Sequence, residues 1–131
     1  MGIKYVWDTN TAIYFLQQQF PPAAEKFIDD LLKESEPCIS AITEIELLCW
    51  KAPTQKDSEL LNSFINDALV IELERPIKLT TADIRKHHKI KLPDAIIAAT
   101  AITYGYTLLT RNVNDFRNIE SLKMINPWEA R

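Results

Sequence analysis

The chain has 131 residues, enough for one domain around one substantial core, and its 47% apolar and 25% charged content is that of an ordinary folded protein. A net charge of −3 excludes coating of nucleic acid by bulk electrostatics, so a bound polyanion would need a local basic patch. Two glycines and seven prolines exclude a low-complexity chain, and no apolar run approaches the ~20 residues that span a bilayer.

The opening MGIKYVWD has no apolar signal core. Residues 3–7, IKYVW, read as a strand ending at Asp8. A helix is expected over 10–18, with Ile13, Phe15 and Leu16 inward, and the Pro21-Pro22 pair breaks the chain. A second helix is expected over 23–33, with Ala24, Phe27, Ile28, Leu31 and Leu32 at helical spacing. The run 37–42, PCISAI, reads as a second strand. Thr43 and Glu46 then have the spacing of a capping box, with Thr43 as N-cap of a helix that Pro53 ends. Its expected inner stripe is Ile42, Ile45, Leu48 and Cys49. A helix over 55–67, a strand over 69–73 and a helix from Pro76 to about Lys89 follow. The segment from Leu92, LPDAIIAATAITY, is apolar almost all round, which marks a buried helix, and Gly105 closes it. Strands are expected over 107–109 and, at an edge, over 123–125. Cys38 and Cys49 read as buried thiols of a reducing compartment, so the expected location is the cytoplasm.

Strands alternating with helices imply parallel pairing and a three-layer α/β/α domain with a central sheet of four to five strands. In such sheets ligands bind beyond the carboxyl ends of the strands, at the switch in strand order. Asp8 ends the first strand, Glu46 lies in the helix after the second, and Asp115 follows the fourth in TRNVNDF. Asp94 joins them if the buried helix points its N-terminus to that rim. Carboxylates gathered there repel one another, and a hard divalent cation, Mg²⁺ or Mn²⁺, relieves the conflict. Such an ion lowers the pKa of a bound water and offsets charge on a phosphoryl oxygen, which is the chemistry of phosphodiester hydrolysis.

Each acid also has a plain structural role open to it. Asp8 can cap the first helix, Glu46 can complete the capping box, Asp94 suits a helix N-terminus, and Asp115 suits a turn. Taken together, these roles leave unexplained why all four acids fall on one expected rim. Glu44 lies about 200° from Glu46 around a helix, so only one of them faces the pocket. Glu46 is preferred because it borders the expected stripe.

VWDTN, ISAITEIEL, LPDAIIAATA, LLTRNVNDF and the closing NPW stand in the order found in PIN-domain proteins, and the chain resembles the VapC-type toxins of bacterial toxin–antitoxin pairs over almost its full length. The resemblance implies a single PIN domain over residues 1–131 and a ribonuclease dependent on Mg²⁺ or Mn²⁺. On the family pattern Asp8, Glu46 and Asp94 match the three core acids, and Thr9, Asn10 and Thr110 are supporting polar residues. Some relatives carry Asp where this chain has Asn112. Asp115 then supplies the fourth acid, and whether it ligates directly or through water stays open. The implied partners are RNA, a VapB-like antitoxin that occludes the pocket, and a second copy of the chain, with no membrane.

The densest basic run, RKHHKIK at 85–91, immediately precedes Asp94 and offers Arg85, Lys86, Lys89 and Lys91 to phosphates flanking a cut; Arg111 is a further candidate, or one half of a structural pair. The adjacent His87 and His88 point in different directions and do not form a paired metal site. Trp7, Trp50 and Trp128 are expected to pack in the core. A trimming nuclease without antitoxin, or an inactive PIN interaction module, fits the same residues. A receiver-like signalling domain fits poorly, because its third strand would need an acceptor Asp and ELERP offers only Glu.

Overall fold

The computed structural model describes residues 4–129, so Ile3 of the expected first strand lies outside the described residues. Five strands, β1 (Tyr5–Trp7), β2 (Cys38–Ser40), β3 (Leu69–Ile71), β4 (Thr107–Leu109) and β5 (Lys123–Ile125), pair in the order β3-β2-β1-β4-β5. Every pairing is parallel. Val6 stands opposite both Cys38 and Leu108, which fixes the register of the three central strands.

Side chains alternate across a strand, so each central strand feeds two cores. Val6, Cys38 and Leu108 face one layer, built from α5 (Arg75–His87) and α6 (Leu92–Tyr104). Trp7, Ile39 and Leu109 face the other, built from α1 (Thr9–Leu16), α2 (Pro22–Leu32), α3 (Ala41–Cys49) and α4 (Gln55–Asp67). The architecture is three-layer α/β/α. A helix absent from the sequence reading, α7 (Val113–Phe116), forms a single turn after β4. Among the described residues no helix is long and apolar enough to cross a membrane.

Helix α6 buries seven consecutive residues, Ala95 to Ala101. Alanines let the sheet and α5 approach it closely, and Thr100 satisfies its hydroxyl by donating to the Ile96 carbonyl at 2.8 Å. Gly105, at φ 69°, ends the helix in the left-handed conformation that glycine adopts without steric cost. Trp7 is fully buried and meets Phe15 and Phe64 at ring distances of 5.4 and 5.6 Å. Trp128 packs edge-on against both Tyr14 and Phe20 at 5.0 Å, and Trp50 packs against the same core.

Helix α3 departs from the sequence reading in three ways. Its N-cap is Ser40, whose hydroxyl accepts the Thr43 amide at 3.1 Å, so Thr43 is not the cap. The buried side chains are Thr43 and Leu47, whereas Ile45 and Leu48 are 54% and 60% exposed. Cys49 is exposed, not buried, while Cys38 lies in the core. The helix is thus turned so that a polar residue faces in. A buried threonine is tolerable only where its hydroxyl finds partners, and here it does.

Candidate metal centre and active site

Strand order turns at β1: the chain runs outward through β2 and β3 on one side, then returns to place β4 and β5 on the other. The crevice beyond the carboxyl ends of β1 and β4 is therefore the switch point. Asp8 directly follows β1 and caps α1, its Oδ1 accepting the Thr11 amide at 2.8 Å. It is 8% exposed. Burial pushes its carboxyl above the usual carboxylate range, hydrogen bonds from Thr11 and Thr110 work against that, and the Glu46 charge adds to it. Thr110, fully buried after β4, accepts the Asn112 amide on its hydroxyl oxygen at 3.0 Å.

Asp94 sits half-buried in the first turn of α6. Its carboxyl is also pushed up, first by burial and then by the charges of Asp115, Asp8 and Glu46, with Lys91 opposing. This one carboxyl feels all three of the other acids, so the fold brings the four to one neighbourhood. Asp115 lies exposed in the first turn of α7, and the Asn112 side-chain amide donates to it. Glu46, half-buried on α3, accepts the Thr9 hydroxyl at 2.6 Å.

Two openings border three of these acids, Asp8, Asp94 and Asp115. One, of about 300 Å³, is lined by Asp8, Asn10, Thr11, Tyr14, Arg111 and Asn112. The other, of about 530 Å³, sets Arg85, Lys89 and Lys91 beside Asp94, Asp115 and Asn118. Lys86 is exposed in the last turn of α5 and does not line that opening. Arg85 also donates from Nε to the Ile90 carbonyl at 3.2 Å, which fixes the turn between α5 and α6. Arg111 lays its guanidinium 4.9 Å from the centre of the Trp128 ring, a stacked cation–π contact. His87 leans on the Asp83 carbonyl of its own helix at 2.9 Å and lines neither opening.

The donors at this rim are carboxylate and hydroxyl oxygens, which suit a hard cation. Two of the carboxyls are raised by burial and mutual repulsion, the condition a divalent ion would relieve. Among the described residues, no three Asp, Glu, His or Cys side chains are grouped tightly enough to hold one ion by themselves. Mg²⁺ does not need such a cage, because it commonly takes one or two carboxylates and completes its shell with water and phosphate.

The sequence reading passed over one feature of the site. Ser40, Thr43 and Glu46 recur every three residues, and their side chains join Thr9 in one chain of contacts. The S-x-x-T-x-x-E spacing is visible in the sequence, but its meaning depends on which way α3 is turned.

Comparison with known proteins matches this geometry to relatives. A "tRNA(fMet)-specific endonuclease VapC" of Salmonella typhimurium is 26% identical over 134 residues, covering 96% of this chain and 98% of the relative. The structure of a toxin–antitoxin complex from Klebsiella pneumoniae superposes with a TM-score of 0.75 at 26% identity, over 97% of this chain and 100% of that one. DNA-bound VapBC from Salmonella typhimurium gives 0.78 at 25% identity, over 96% and 99%. The PIN domain family model matches residues 5–122, from β1 to the segment just before β5, and the chain belongs to that family.

Proposed function

We propose that the protein is a metal-dependent endoribonuclease and the toxin of a VapBC-like toxin–antitoxin pair. The observation that carries this reading is the convergence on Asp94 of charge from Asp8, Glu46 and Asp115 at the switch point of a PIN fold. Its relatives named as VapC endonucleases and VapBC complexes supply the biological setting. The work of the protein is then in the cytoplasm, on RNA, as a homodimer held in check by a VapB-like antitoxin over the acidic rim.

Asp8 and Asp94 would hold Mg²⁺ or Mn²⁺ directly, with Asp115 reaching it through water, and the ion when bound makes water a better nucleophile and offsets phosphoryl charge. Asp8 accepts the Thr11 amide on Oδ1 and is hydrogen-bonded by Thr110 as well, which orients the carboxylate at the rim where the ion would bind. Glu46, with one oxygen held by Thr9, keeps the other free to accept a proton from attacking water. Arg85, Lys89 and Lys91 hold phosphates flanking the cut, and they stand beside Asp94 where those phosphates would run.

Replacing Asp94 by Asn and measuring RNA cleavage with Mg²⁺ or Mn²⁺ tests the chemistry. The expected loss is at least the roughly 10- to 100-fold that removal of a ligand's supporting partner costs. tRNA(fMet), named for the Salmonella relative, is the first RNA to try. Unchanged cleavage removes the mechanism. Expression of the protein alone tests the setting: growth arrest relieved by a co-expressed antitoxin is expected, and unaffected growth overturns the toxin role.

A further inference from the structure

Three hydroxyls and a carboxylate form an unbroken line from the N-cap of α3 to Glu46. Ser40 Oγ lies 3.2 Å from Thr43 Oγ1, Thr43 Oγ1 lies 3.2 Å from Thr9 Oγ1, and Thr9 Oγ1 lies 2.6 Å from Glu46 Oε1. Ser40 and Thr43 are fully buried, so water offers them no alternative partner. Each hydroxyl carries one proton, and each contact needs one proton between its oxygens. An ionised carboxylate has none to give, so the Thr9 proton points to Glu46. The Thr9–Thr43 contact must then use the Thr43 proton, and the Ser40–Thr43 contact must use that of Ser40. One arrangement satisfies all three contacts, and every proton in it points toward Glu46. Ser40 is anchored in turn, because its oxygen accepts the Thr43 amide at 3.1 Å as the cap of α3.

We infer that Ser40, Thr43 and Thr9 form a one-way hydroxyl relay that orients the Glu46 carboxylate for RNA cleavage, with the buried Thr43 as its central positioning residue. The inference rests on the nuclease reading above and adds to it a cause for the rotation of α3: turning Thr43 inward is what connects the helix cap to the catalytic rim. Each donated hydrogen bond polarises the next hydroxyl, so Thr9 is a stronger donor to Glu46 than an isolated threonine. Removing the Thr43 hydroxyl leaves Thr9 free to rotate, and Glu46 loses its fixed direction without losing its charge.

The experiment compares Thr43→Val, which keeps the shape and removes the hydroxyl, with Thr43→Ser, which keeps the hydroxyl. With RNA and Mn²⁺, Thr43→Val is expected to lower kcat roughly 10- to 100-fold at unchanged KM, and Thr43→Ser to restore it. A folded Thr43→Val protein with wild-type kcat, or a loss that serine does not rescue, overturns the relay. Glu46→Gln separates the two levels: if it cleaves at the wild-type rate, the role of Glu46 in the nuclease reading fails, whereas an impaired Glu46→Gln beside an unimpaired Thr43→Val sinks the relay alone. Thr9→Val and Thr9→Ser give the same comparison at a half-buried position should the Thr43 variant not fold. Proton NMR of the wild-type protein gives a readout independent of activity. Slowly exchanging hydroxyl resonances are expected for Thr43 and Thr9, with that of Thr9 moving upfield in Glu46→Gln. Their absence from the spectrum overturns the arrangement.

Discussion

Asp8 and Thr11 are joined by a 2.8 Å hydrogen bond in which the carboxylate that walls the acidic pocket also caps the helix leading away from it. The capping role of this acid can be separated by substitution from the metal-binding role proposed for it. Asparagine caps a helix about as well as aspartate, and alanine does not. Asp8→Asn is expected to hold the stability of the wild type, or exceed it in metal-free protein, while losing RNA cleavage. Asp8→Ala loses cleavage and also ~1 kcal/mol of stability. Denaturant melts beside a cleavage assay check both; an active Asp8→Asn protein would remove Asp8 from the chemistry.

The raised carboxyls of Asp8 and Asp94 make stability depend on pH. A group whose folded pKa exceeds its unfolded value binds more protons in the folded state, so its contribution is favourable in acid and is lost as pH rises. Metal-free protein is expected to lose stability from pH ~4, the ordinary carboxylate range, upward through the raised values. A divalent ion binds the ionised form, so Mn²⁺ or Mg²⁺ should reverse the loss, and more so at higher pH. Thermal melts across pH with and without Mn²⁺ measure this. A metal-free stability that climbs through the same interval contradicts the electrostatics of the site.

The basic opening beside Asp94 makes a separate prediction. Arg85→Ala, Lys89→Ala and Lys91→Ala should each weaken RNA binding with little regard to sequence. Each should also flatten the dependence of log affinity on log salt, by about 0.7 per lost contact with single-stranded RNA. Lys86→Ala serves as the control, because Lys86 does not line the opening. Equal salt slopes for all four variants would show that RNA takes another path.

Arg111 stacks on Trp128, which itself meets Tyr14 and Phe20. An exposed contact of this kind contributes about 0.5–1 kcal/mol. Arg111→Ala should cost that much, and Arg111→Lys should recover little of it, because lysine lacks the planar face. If Arg111 also grips phosphate, Lys should recover RNA affinity far better than stability. The two assays on the same pair of variants distinguish a structural pair from a substrate contact.

Much of the fold was legible because period and punctuation agree. The alternation of strands and helices, the apolar α6 with its closing Gly105, and the acid after β1 are all local signals. Helix α3 was misjudged because Ile42, Ile45, Leu48 and Cys49 offer a plausible stripe and apolar periodicity gives no reason to bury Thr43 instead. What turns the helix is a set of hydroxyl contacts reaching back to Thr9, 34 residues earlier, and no local window contains them. The single turn α7 is too short to show a period. Arg111 over Trp128 likewise joins residues from separate loops, so the sequence left its role divided.

The central position of β1 has a consequence for how the protein is made. Tyr5, Val6 and Trp7 pair with Thr107, Leu108 and Leu109, which leave the ribosome about a hundred residues later. Long-range parallel pairing of this kind cannot form until both strands exist. A nascent chain that stops short of β4 carries Asp8, Glu46 and Asp94 but lacks the strand that closes the crevice around them. The acidic rim thus cannot exist until about a hundred residues beyond β1 have been made.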